Sequence, residues 1–229
     1  EKLEIPGITG LAESSQLARD LMLAKATGVH YHVAHISTKE SVALVRIAKL
    51  QGVNVTAEVS PHHLLLSDMD IKGDNALFKM NPPLRSQADR QAVLAGLLDG
   101  TIDMIATDHA PHGTAEKNKP FREAPFGITG IETSFQLLYT HLVRSGVMTL
   151  ETLLQRMISA PIASFKLEAP TEIKPGETAD LALFDLEHQK TISVDNFKSK
   201  GKNTPFMGWQ VYGNTLATWV DGQLVYQSF

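Results

Sequence analysis

Apolar positions recur at helical spacing along residues 12–26, where Leu17, Leu21 and Ala24 form a stripe beside Ala18 and Met22, and Gly28 supplies a stop. VHYHVAHIS (29–37) then reads as a strand. It runs into Ser37, Thr38 and Lys39, which can start a second helix whose Val42, Leu44, Val45, Ile47 and Ala48 repeat until Gly52. VNVTAEVS (53–60) switches to a period of two, with Val53, Val55, Ala57 and Val59 alternating against polar residues until Pro61 breaks the run. NPPLRS is a loop, residues 87–98 are helical, and TIDMIATD is a third strand. Strands separated by helices of about 10 to 15 residues pair in parallel through right-handed crossovers, so the predicted class is α/β.

After about residue 165 the texture changes. IKPGETADLALFDL and WQVYGNTLATWVDGQLVYQ are short alternating strands with turns at Pro175-Gly176, Gly213-Asn214 and Asp221-Gly222, the last a strong hairpin signal. The division expected is therefore residues 1–165 as the α/β part and 166–229 as part of a small β module.

Composition narrows the function classes. At 229 residues, 43% hydrophobic and 20% charged, the chain is ordinary globular protein with room for a sizeable core. A net charge of -4 with both signs interspersed gives no basic stripe for nucleic acid and no polybasic patch for a membrane, leaving small polar substrates open. The absence of cysteine excludes thiolate catalysis, Cys-ligated zinc and disulfides. No apolar run reaches the roughly 18 residues that span a bilayer and no signal peptide is evident, so a cytoplasmic location is expected. The sequence starts at Glu1 and enters a helix within about a dozen residues, which reads as a piece of something longer.

The candidate chemistry collects at the C-terminal ends of the predicted strands, where parallel α/β sheets and barrels place ligands. His35, the His62 and His63 pair, and Asp108 lie there, Asp108 within ATDHAPH (106–112). An aspartate there can cap the next helix, but paired with a histidine at another strand end it supplies two ligand types suited to zinc or a similar divalent ion. Two ligands do not complete such a site, so His62, His63, His112 or residues outside the chain must supply the remainder. His30 and His32, two apart on a strand, share a face, whereas His35 lies on the other if the strand is regular, so all three cannot hold one ion. The strand end favours His35, and His30 and His32 are read as structural. His141 and His188 are expected at the surface.

YHVAHISTKES, VTAEVSPHHLLL, KMNPPLRS, IATDHAPH and APFGITGIET, in that order, closely resemble the later half of bacterial dihydroorotases, members of the amidohydrolase superfamily. The resemblance implies a TIM-type barrel of which this chain holds about the last three strands, with part of a small β-sandwich at its C-terminus. It implies that His35 is a ligand of one zinc, and that Asp108 binds the other and acts as general base. Asn81, His112 and the backbone around Phe126 and Gly127 would contact substrate, while His62, His63 and His109 receive no role. The family's early His-x-His pair, its bridging carboxylate or carboxylated lysine and a further histidine would all precede Glu1.

The activity implied is the reversible, zinc-dependent interconversion of dihydroorotate and N-carbamoyl-aspartate in pyrimidine biosynthesis. The alternatives are a dihydropyrimidinase, hydantoinase or allantoinase, or a catalytically silent dihydroorotase-like subunit that binds aspartate transcarbamoylase. A homo-oligomer is expected, as is association with the missing N-terminal part. The segment alone is expected to be inactive and prone to associate, through open sheet edges and an apolar inner face.

Overall fold

Thr9, Thr38 and Ser86 each turn a side-chain oxygen back onto the first turn of a helix, and these three caps set the frame of the N-terminal unit. The structure is a computed structural model that describes residues 7–228. Helix α1 spans Gly10–Thr27 and ends at Gly28, whose φ of 72° lets its N–H reach the Ala24 carbonyl. Strand β1 (Tyr31–Val33) leads to α2 (Lys39–Leu50), then β2 (Val55–Val59), the short α3 (Pro61–Leu65), α4 (Gln87–Leu98) and β3 (Met104–Ile105).

The three strands form a parallel sheet in the order β1-β2-β3, with Tyr31 opposite Val55 and Glu58 opposite Met104. Helices α2 and α4 return the chain between strands, as the sequence periodicities predict. Val55, Ala57 and Val59 of β2 are buried, as are Val42, Val45 and Ala48 of α2, so period two meets period 3.6 across one apolar layer. Gly96 of α4 is needed there, because a Cβ on it would come within 2.8 Å of the Val42 side chain. Asp103 anchors the start of β3 by accepting from the Ala57 N–H at 2.8 Å and from Lys49 at 2.7 Å.

The other face of the sheet corrects an expectation. Instead of being apolar, it carries His32, Thr56 and Glu58, half-buried and bonded to one another, beside the buried Met104. Alternation places polar residues wherever one face is packed on helices, and here those positions are occupied by titratable side chains.

The chain divides into two compact units, one running through Glu132 and taking back Phe197–Pro205, the other comprising Thr133–Asn196 and the residues from Phe206 onward. The short α5 (Thr114–Lys117) belongs to the first. In the second, α6 (Ser134–Leu138) runs directly into a π-helical turn, Tyr139–Val143. Helix α7 (Leu150–Leu154) continues through a π turn, Gln155–Ser159, into α8 (Ala160–Phe165). Pro161 lies just inside α8 and has no N–H for the preceding turn, which accounts for the local widening.

Strands β4 (Leu181–Asp185), β7 (Asn214–Val220) and β8 (Gln223–Gln227) pair antiparallel in the order β4-β7-β8, while β5 (Lys190–Thr191) pairs with β6 (Gln210–Val211). Asp221 and Gly222 turn the β7-β8 hairpin with φ of 50° and 74°, as their sequence predicts. Helical residues 133–165 therefore group with the later strands: Phe135 stacks on Tyr139 and lies 4.1 Å from the Phe184 ring. His188 is exposed as expected, but His141 is half-buried, its ring edge-on to Trp209 at 5.0 Å. Among the described residues no helix is long and apolar enough to cross a membrane.

Candidate active site

Strand pairing stops at Val33 and at Ile105, and two or three residues later the chain bends at His35 and Asp108. Both have left-handed backbones, with φ of 37° and 48°. Such a conformation is uncommon outside glycine and persists where surrounding structure enforces it, often at functional sites. The Ile36 N–H donates to Glu58 O and the Ala106 N–H to Val59 O, so both bends are tied to β2. Because the ladder has ended, the strict alternation used to place His35 no longer applies to it.

The two side chains sense each other. Burial pushes the half-buried Asp108 carboxyl above its ordinary range, the His35 ring opposes that shift, and the Glu58 carboxylate adds to it. His35 also contributes, after burial and His63, to lowering the His62 ring. Imidazole and carboxylate suit zinc, but among the described residues no group of three or more His, Asp or Glu side chains is arranged to hold a metal ion. His35 and Asp108 thus fit as part of a donor set.

His30 and His32 are engaged elsewhere. His30 Nε2 and His32 Nδ1 lie 2.9 and 2.8 Å from the Thr56 hydroxyl, and His32 Nε2 is 3.0 Å from the Glu58 carboxylate. Both nitrogens of His32 therefore have protein partners, an arrangement that supports a structural role.

His62 and His63 are buried around the Ser60 hydroxyl. A carbonyl only accepts, so His63 Nε2–H must donate to Pro82 O at 3.0 Å, which leaves its Nδ1 to accept from Ser60 Oγ at 2.6 Å. The hydroxyl can then accept from His62 Nε2–H at 2.9 Å. This chain holds Pro82 beside Asn81. Burial lowers the His63 ring from 6.5 to about 4. The unfolded chain therefore binds an extra proton between those values, so stability is complete above pH 6.5 and falls as pH drops through them. The loss from this group should be about 3 kcal/mol. Urea unfolding of His63→Gln should show a correspondingly smaller loss between pH 6.5 and 4 than the parent chain; equal losses would remove His63 from the account.

A second cluster surrounds His112. Its N–H donates to Asn203 Oδ1 at 2.9 Å, its Nε2–H donates to Phe126 O at 2.8 Å, and its Nδ1 lies 3.9 Å from the Glu116 carboxylate. The Gly127 N–H donates to Lys79 O at 2.9 Å. Gly127 has a φ of 121°, and a Cβ there would fall 2.4 Å from the Ala110 side chain, so only glycine fits. His112, Phe126 and Gly127 are thus brought together, and exposed Asn81 stands two residues beyond Lys79. His109 acquires a role as well: its Nδ1 accepts from the Gly130 N–H at 3.0 Å.

Sequence reasoning passed over Lys79, Lys117 and Asn203. The buried Lys117 ammonium donates to three carbonyl oxygens, those of Lys79, Pro125 and Gly127, at 3.1, 3.0 and 2.9 Å. Burial first, then the Lys79 ammonium, lowers it to about 8. Lys79 donates to Ala124 O at 2.6 Å and lies 4.6 Å from the Phe126 ring. Nothing local distinguishes these lysines from surface charge, and Asn203 lies far along the chain from its partners.

Residues 1–225 match the model of the Amidohydrolase family. Proteins named dihydroorotase from Lactobacillus johnsonii and Ligilactobacillus salivarius are each 60% identical over 99% of this chain, and the match covers 54% and 53% of their own lengths. That from Enterococcus faecalis is 57% identical over 99% of this chain and 53% of its own. The chain thus spans about half the length of the curated relatives it matches. Among solved structures, a D-hydantoinase (dihydropyrimidinase) from Thermus sp. aligns with a TM-score of 0.86 at 26% identity, covering 96% of this chain and 49% of the other. A dihydropyrimidinase from Brevibacillus agri aligns at 0.86 and 25%, covering 94% and 49%.

Proposed function

Since the chain belongs to the amidohydrolase family, we propose that it forms the later part of a zinc-dependent dihydroorotase, which opens the ring amide of dihydroorotate to give N-carbamoyl-aspartate and can close it again. One observation carries the choice of substrate: identity to proteins named dihydroorotase reaches 60%, against 26% to the Thermus sp. D-hydantoinase, although the hydantoinases share the fold. On this reading residues 1–165 are barrel, residues 166–229 belong to a small β-sandwich, and the remaining metal ligands come from outside this sequence. A homo-oligomer fits the reading, with aspartate transcarbamoylase as a possible partner. Retention of both His35 and Asp108 favours an enzyme over a silent subunit that only binds a partner.

His35 and Asp108 would each hold one of two zinc ions. Bound there, zinc supplies an activated water and polarises the ring carbonyl. Asp108 takes the proton released as the water attacks and delivers it to the departing ring nitrogen.

Recognition of the substrate carboxylate falls to Asn81, His112 and the Phe126–Gly127 backbone. With its Nε2 held by Phe126 O, the His112 ring would meet the substrate anion on its Nδ1 side. The test uses a chimera in which this chain replaces the matching 54% of the Lactobacillus johnsonii protein. His112→Ala should weaken dihydroorotate by roughly 10- to 150-fold, the equivalent of a charge-assisted hydrogen bond of roughly 1.5 to 3 kcal/mol. Dihydrouracil, which lacks the carboxylate, should be little affected as substrate or competitive inhibitor. Equal losses on both would give His112 a general structural role and favour the dihydropyrimidinase reading.

A further inference from the structure

Four polar groups converge behind the Phe126–Gly127 backbone and consume nearly all its hydrogen-bonding capacity. The Gly127 carbonyl accepts from the Lys117 ammonium at 2.9 Å and from Asn203 Nδ2 at 3.0 Å. The Gly127 N–H is taken by Lys79 O, and the Phe126 carbonyl by His112 Nε2. Among the described residues, the Phe126 N–H is the one backbone donor or acceptor of this pair left without a hydrogen-bond partner.

We propose that Lys117, assisted by Asn203, is a positioning residue for substrate recognition. Its buried ammonium fastens two separate backbone segments, at Lys79 and at Pro125–Gly127, at a fixed separation, so that the Phe126 N–H, the His112 ring and Asn81 meet one anion together. The proposal rests on the dihydroorotase reading for the identity of that anion, but the clamp stands on geometry alone.

Three features single out this lysine. Its three donors match three carbonyls, the full capacity of an ammonium, so the group is saturated and unavailable to ligand. The carbonyls come from Lys79, two residues before Asn81, and from Pro125 and Gly127, which flank Phe126; one side chain therefore sets the spacing of two predicted substrate contacts. Asn203 completes the frame by accepting from the His112 N–H at 2.9 Å while donating to Ala110 O and Gly127 O, both at 3.0 Å. Close packing leaves no slack: a Cβ on Gly127 would collide with Ala110, and one on Gly201 would approach the Pro111 side chain to 2.6 Å. Burying a cation is unfavourable unless its donors are satisfied, so a lysine retained here must be repaid by what it holds in place.

The test has two arms. In the chimera, Lys117→Met keeps the side-chain length but removes all three donors, and exchange of the Gly127 amide should quicken by about tenfold or more, with Lys117→Arg restoring part of the protection. In the chimera, Lys117→Met should raise the KM for dihydroorotate by about tenfold while kcat stays within about twofold, since the group acts on binding geometry and not on proton transfer. Asn203→Ser, a milder change, should move both readouts in the same direction if the methionine variant folds poorly. Unaltered Gly127 exchange, or a kcat loss at constant KM, would overturn the proposal. A chimera inactive with Lys117 in place would sink the dihydroorotase reading instead, and the exchange arm then decides the clamp by itself.

Discussion

Asp108→Asn in the chimera should lower turnover of dihydroorotate by roughly 10²- to 10⁴-fold, the range lost when a general base is removed. The substitution is unusually clean at this position. Asp108 has a φ of 48°, and asparagine is among the few residues that tolerate a left-handed backbone about as well as aspartate does. On the proposed reading the amide also keeps one oxygen in place for the metal. What disappears is the ability to accept and return a proton. Stopped-time assays at saturating zinc, with circular dichroism to confirm an unchanged fold, check the expectation. Near-normal turnover would leave Asp108 as a structural residue at a strand end.

His35→Ala in the same chimera should lose bound zinc and activity together, whereas His32→Ala should keep its zinc and lose stability instead. The difference follows from the partners. His32 spends both ring nitrogens on Thr56 and Glu58, so its removal strips hydrogen bonds from a half-buried carboxylate and leaves the metal donors intact. His35 stands beyond the end of β1 on a left-handed backbone, which alanine tolerates poorly. His35→Asn is therefore the control: it accommodates the backbone, so zinc that is lost from Ala but retained in Asn would trace the defect to conformation. Elemental analysis of zinc per protomer reads all three variants. Stoichiometric zinc in the His35→Ala protein would mean that the wrong histidine has been assigned.

The elements were legible where one face of each had to be buried. The stripe of Leu17, Leu21 and Ala24, the helix start at Ser37, Thr38 and Lys39, the helical run 87–98, and the alternation of Val55, Ala57 and Val59 all specify local structure and reappear within a residue or two of their predicted limits. Strand β1 was less legible: VHYHVAHIS promised a long strand, yet pairing covers only Tyr31–Val33. The backbone reversal at His35 depends on its ties to β2, and those are set by tertiary contact. The polar sheet face was visible as the complement of the buried one, but its content was misjudged, because the eye follows Val55 and Val59 rather than Thr56 and Glu58 between them. The clamp around Phe126 had no local signal at all. Lys117 looks like any charged residue of a short helix until three carbonyls from two distant segments close on it.

Hydrolysis of dihydroorotate by the chimera, measured beside this chain alone and with zinc counted in both, tests the central claim most directly. The account predicts a chimera that binds two zinc ions per protomer and opens the ring, and a lone chain that associates through its open sheet edges, holds no stoichiometric zinc and turns over nothing. A folded, zinc-loaded chimera without activity would contradict the dihydroorotase reading. A monomeric lone chain that binds two zinc ions and hydrolyses dihydroorotate would contradict the division of the metal site on which the whole assignment rests.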